Sequence, residues 1–138
     1  MANYYASWRS SYFKVNNLAE FKEAMHRIPC VEVVEGTGDN VGKVALLQDN
    51  SGDGCGITQF YDDPDTKEER DFYQDVAVHL QDDQVAVFME AGAERLRYIV
   101  GYAVAVRADG RVLTTSIHDI FKKIDKHWKN KEYTDCEY

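Results

Sequence analysis

The sequence predicts a single α+β domain over residues 1–138, an antiparallel or mixed sheet with about three helices packed mainly on one face. Three observations carry that prediction. Runs rich in β-branched and aromatic residues recur along the chain, and three segments show helical apolar spacing. Their order reads β-α-β-β-(β)-α-β-β-β-α. The chain has only two prolines and no Ser- or Gly-rich linker, so nothing marks a second domain, and 138 residues suffice for a real hydrophobic core.

The first element, "NYYASWRSSYFKV" (residues 3–15), reads as a strand with Tyr4, Trp8 and Tyr12 on one face and Tyr5, Phe13 and Val15 on the other. "NLAEFKEAMHRIP" (17–29) reads as a helix. Asn17 and Glu20 stand at capping-box spacing, Leu18, Phe21, Met25 and Ile28 form its apolar stripe, and Pro29 ends it. "VEVVE" (31–35) and "KVALLQD" (43–49) read as strands joined by the Gly-rich turn between them, with "GITQFY" (56–61) as a third. A second helix is expected in "DTKEERDFYQDVAVHL" (65–80). Thr66 and Glu69 have capping-box spacing there, and Phe72, Val76, His79 and Leu80 make the core face. Residues 84–115 read as two or three strands with turns near "EAGAE" and "ADGR". In the last helix Ser116 is the expected cap, and Ile117, Ile120, Phe121, Ile124 and Trp128 share one stripe. Lys122, Lys123, Lys126 and Lys129 lie away from it. That stripe predicts a buried Trp128.

The net charge of −8 is unevenly spread. Residues 1–30 carry a balance of +2, residues 31–94 one of −13 and residues 95–138 one of +3. An acidic middle repels nucleic acid and attracts basic partners. No apolar run is long enough to span a membrane, and the first residues lack the features of a signal peptide. Cys30, Cys55 and Cys136 are odd in number and far apart, which predicts reduced thiols and a cytoplasmic setting.

Motifs for chemistry are scarce. "QDNSGDGCGI" (48–57) starts like a calcium loop, but a loop begun at Asp49 places Phe60 where the bidentate acid belongs. A strand, not a helix, is expected before it. A weak metal site of Asp49 and Asp53 is all that this stretch could offer. Its glycines lack the Lys-Ser/Thr end of a phosphate loop, and nothing local lowers the pKa of Cys55. The stretch reads as a turn. No two histidines share metal-ligand spacing on a helix face, and no catalytic or cofactor motif occurs. Five aromatics around Arg9 could stack single-stranded nucleic acid. Core packing is the simpler reading for them.

The acidic segment "YDDPDTKEERDFYQD" (61–75) is the expected partner-binding surface. If a helix starts after Thr66, Glu68, Asp71 and Asp75 line one flank of it, with Asp62, Asp63 and Asp65 just before its N-terminus. Regular carboxylates of this kind can imitate DNA phosphates. The triple change Glu68→Gln, Asp71→Asn, Asp75→Asn is then expected to leave folding intact. "NYYASWRSSYFKV" and "VAVFMEAGAERLRYIVGYAVAV" resemble segments of small acidic accessory proteins encoded on bacterial plasmids and phages. The resemblance implies a mobile-element inhibitor of restriction or CRISPR systems, acting without catalysis. Its acids would cover the basic nucleic-acid-binding surface of a host defence nuclease or CRISPR effector. The alternative is a small enzyme or ligand-binding domain with a pocket near Cys55, Tyr61 and His79.

Overall fold

The computed structural model describes residues 4–49, 56–94, 98–129, 132, 134 and 136. In chain order the elements are β1 (Tyr4–Ser10), α1 (Leu18–His26), β2 (Val31–Glu35), β3 (Val44–Gln48), β4 (Phe60–Asp62) and β5 (Glu69–Asp71). They continue with α2 (Phe72–Ala77), β6 (Val85–Glu94), β7 (Tyr98–Arg107), β8 (Val112–Ser116) and α3 (Asp119–His127). Six strands form one antiparallel sheet in the order β2-β3-β1-β6-β7-β8, and β4 pairs with β5 in a separate ribbon. The expected α+β class is the observed one. No helix among the described residues is long and apolar enough to cross a membrane.

Period-2 alternation decides which face of the sheet is covered. Trp8, Phe88, Val104, Val106 and Leu46 point to one side and pack with Phe21 and Met25 of α1 and Phe72, Tyr73 and Val76 of α2. Aromatic rings dominate this core. Phe72 lies 5.3 Å from Phe88 and 6.2 Å from Trp8, and Phe13 meets Phe21 edge-on at 5.8 Å. The core packing expected for the first strand's aromatics holds at Trp8 and Phe13, which are core residues and not a stacking platform. One charge is buried among them. Glu90 stands between Trp8 and Tyr102 in the register, and its carboxylate accepts the Ile57 N–H.

Several boundaries differ from expectation. The first strand stops at Ser10, because serine hydroxyls take over from the backbone ladder. Ser10 Oγ accepts the Leu46 N–H at 2.8 Å, and Ser11 Oγ accepts that of Val87 at 3.0 Å. Beyond this break Phe13 joins the same core as Trp8, against the strict alternation read over residues 3–15. "EAGAE" is no turn; its residues belong to β6 and pair with both β1 and β7. The helix expected from Thr66 begins only at Phe72. Asp71 is its cap, accepting the N–H groups of Tyr73 (2.9 Å) and Gln74 (3.4 Å). Residues 60–71 fold instead as the β4–β5 ribbon, turned by Asp63. Its side chain accepts the N–H groups of Asp65 and Thr66, and its C=O accepts that of Lys67. The predicted turn at "ADGR" holds: Gly110 adopts φ +92° between β7 and β8, a conformation that suits glycine.

Cys30 is disulfide-bonded, whereas Cys136 is exposed and outside any disulfide. The expectation of reduced thiols throughout fails at Cys30, because sequence spacing says nothing about which cysteines the fold brings together.

The last helix departs most. Ser116 is not its cap: the N-cap is His118, whose side chain makes no capping bond, and the Asp119 carboxylate reaches back to accept the Ser116 N–H at 2.9 Å and the Thr115 hydroxyl at 2.5 Å. Those two donors, Thr115 first, hold the Asp119 carboxyl below the ordinary carboxylate range. α3 buries no residue, and Trp128 is 65 % exposed. Replacing Trp128 with Ala is therefore expected to change stability by less than about 1 kcal/mol in urea denaturation. A loss of about 3–5 kcal/mol would restore the buried reading.

Candidate functional site

Of the six acids expected to bind a partner, Glu68, Asp71 and Asp75 do not share the helix flank expected of them. Glu68 precedes β5, Asp71 caps α2, and only Asp75 lies within the helix. Asp63 is buried and held by its own turn; the N–H groups of Asp65 and then Thr66 keep its carboxyl below the ordinary carboxylate range. Asp75 is engaged too. Arg70 donates to both of its oxygens, Nη2 at 2.6 Å and Nε at 3.2 Å, and the Tyr61 hydroxyl donates to Oδ2. Burial, then the hydrogen bond from Tyr61 to Asp75, pushes the Tyr61 hydroxyl up to about 12. Asp62, Asp65 and Glu68 are exposed, with Asp65 4.0 Å from Arg27.

These engagements change the expected neutrality of the triple substitution. Glu68→Gln touches an exposed side chain, and Asn at position 71 can still cap α2. Asp75→Asn breaks the two-pronged pair with Arg70 in a side chain only 13 % exposed. It alone is expected to lower stability by about 1–2 kcal/mol, since Arg70 is half-exposed and keeps water as a partner. A urea midpoint unchanged between wild type and Asp75→Asn would show that the pair contributes nothing.

The same cluster answers the pocket expected near Cys55, Tyr61 and His79. Tyr61 and His79 do line one cleft, together with Arg27, Asp63, Arg70 and Asp75, but its volume is about 120 Å³. Ligand sites for drug-sized molecules run to roughly 300–1,000 Å³. His79 is half-buried, with its ring edge-on to Phe21 at 5.6 Å. The cleft is closed by its own ion pair. Cys55 and Asp53 lie outside the described residues, and among those described no three His, Cys, Asp or Glu side chains gather as metal ligands.

A larger concavity lies elsewhere, on the sheet face that α1 and α2 leave bare. The groove, about 790 Å³, crosses β1, β6 and β7. Ala91, Gly101 and Ala103 make its floor, Leu47, Met89 and Ile117 its apolar walls, and Arg9 its charged rim. The floor is low because its residues are small. A Cβ on Gly101 would lie 2.9 Å from Ile117 Cγ2, so glycine is what lets Ile117 lie down across β7. Met89 at one wall is 61 % exposed. Sequence reasoning passed over these residues, although "VAVFMEAGAE" and "YIVGYAVAVR" are apolar at odd and even positions alike. A strand apolar on both faces announces a second surface to be covered.

No known protein family, curated protein or solved structure matches this chain.

Proposed function

We propose that this is a non-catalytic protein-binding module that docks its partner on the helix-free face of the sheet. One observation carries the reading: a large apolar groove lies open on a face that no helix among the described residues covers. Exposed apolar surface with a polar rim marks interaction sites in soluble proteins. The exposed carboxylates of Asp62, Asp65 and Glu68 add long-range attraction for a basic partner, acting on association more than on the bound state. The narrower reading, an inhibitor of a host defence nuclease or CRISPR effector, is supported by the −13 balance of residues 31–94 and by the resemblance to plasmid and phage proteins. A cytoplasmic setting is supported by that target class, while the disulfide at Cys30 favours an oxidising compartment.

The experiment is a parallel capture from host lysate with the wild type and with Ala103→Arg, eluting in rising salt. Loss of the captured protein with Ala103→Arg supports the groove. Capture that survives Ala103→Arg but disappears at moderate salt would move the binding site to the acids.

A further inference from the structure

The groove leaves one feature unexplained, the bare edge of the sheet at β8. Backbone bonds from Arg107 N–H to Arg111 C=O and from Ile117 N–H to Gly101 C=O set the phase of the β7–β8 ladder. By antiparallel alternation Leu113 and Thr115 also bond to β7, so the backbone groups of Val112, Thr114 and Ser116 point away from the sheet. Asp119 satisfies the Ser116 N–H. The outward N–H and C=O groups of Val112 and Thr114 have no partner among the described residues.

Proteins ordinarily guard such an edge with charges, proline or a bulge. The opposite edge is guarded: β2 carries Glu32 and Glu35, the latter paired with Lys22 at 3.1 Å. β8 reads Val-Leu-Thr-Thr-Ser, with no charge and no proline. Within it Leu113 is 75 % exposed, and the exposed Ile117, Ile120 and Trp128 follow along α3. The exposed parts of Val112, Leu113, Ile117, Ile120 and Trp128 come to roughly 500 Å². With the strand backbone that approaches the ~800 Å² per partner of a standard stable interface.

We propose that β8 is the contact of a symmetric dimer, occupied by β8 of a second copy of this chain. The outward groups are self-complementary about Thr114. In antiparallel register Thr114 faces its counterpart with two reciprocal bonds, and on each side the Val112 N–H meets the outward Ser116 C=O. Two copies that each carry −8 repel over most of their surfaces, so an uncharged strand at the far edge from the glutamates of β2 is where they can meet. The two six-stranded sheets then run on as one, and the apolar stripes of α3 gain cover at the junction.

Sedimentation of the full chain over a concentration series tests this, with Thr114→Pro and Leu113→Lys beside the wild type. Thr114 directs its N–H outward, so proline there removes the intermolecular bonds and spares the ladder to β7. The wild type is expected to be dimeric, and each variant to associate at least about tenfold more weakly with an unchanged circular dichroism spectrum, a loss of some 1.4 kcal/mol. Should Thr114→Pro misfold, Leu113→Lys decides. A wild type that stays monomeric, with a Kd weaker than about 1 mM, overturns the proposal. So does a dimer that the folded variants leave intact, or an edge that pairs only with another protein's strand. Ala103→Arg should keep the dimer, so failure of the groove reading and failure of this one give different results.

Discussion

Replacing Phe72 with Ala is expected to lower stability by about 3–5 kcal/mol, the largest effect of any single change considered for this fold. Phe72 opens α2 and is fully buried. Its ring touches three others: Trp8, Tyr73 at 5.6 Å and Phe88. Truncation removes the transfer free energy of the ring and leaves a void lined by rigid aromatic faces, which relax poorly into a gap. α2 is only six residues long, too short to persist without packing. The measurement is the urea midpoint at constant slope, which separates stability from denatured-state effects. Since small domains have some 5–15 kcal/mol in all, the variant should sit near its unfolding threshold at 37 °C. A loss below about 1 kcal/mol would mean that the aromatic cluster closes over the gap.

Ala103→Arg is expected to abolish partner binding while leaving the fold intact. Ala103 lies between Met89 of β6 and Thr115 of β8 in the register, on the face that α1 and α2 leave bare. In the isolated protein an arginine there extends into solvent over its neighbours, and surface changes of this kind usually stay within about 0.5 kcal/mol. Under a docked partner the same guanidinium is enclosed in an apolar groove without a counter-charge. An uncompensated buried charge costs about 3–5 kcal/mol, which corresponds to more than a hundredfold in Kd. Thermal unfolding and titration against the captured protein give the two halves of this result. Unchanged affinity would remove the groove from the interface.

The sequence by itself determined the class of this fold and most of its elements. Periodicity is a local property, so the stripe of Phe21 and Met25 in α1, the turn at Gly110 and the aromatic strand around Trp8 could be read directly. The uneven charge was equally legible. What the sequence could not settle were contests between local signals of similar strength. Thr66 and Asp71 both have the chemistry of a helix cap, and Asp71 prevails because the ribbon of β4 and β5 claims the residues between them. The acids of the expected partner-binding segment were thereby divided, Asp63 to a turn, Asp71 to a cap and Asp75 to an ion pair.

Only the tertiary structure decided which apolar surfaces are covered from within. The stripe of α3 and the interior-facing stripe of α1 look alike as sequences, since each is an amphipathic helix. An apolar stripe states that a surface seeks cover without naming what supplies it. Here α1 and α2 fill one side of the sheet, so the groove around Ala103, the strand edge at Thr114 and the stripe that ends at Trp128 remain open to solvent.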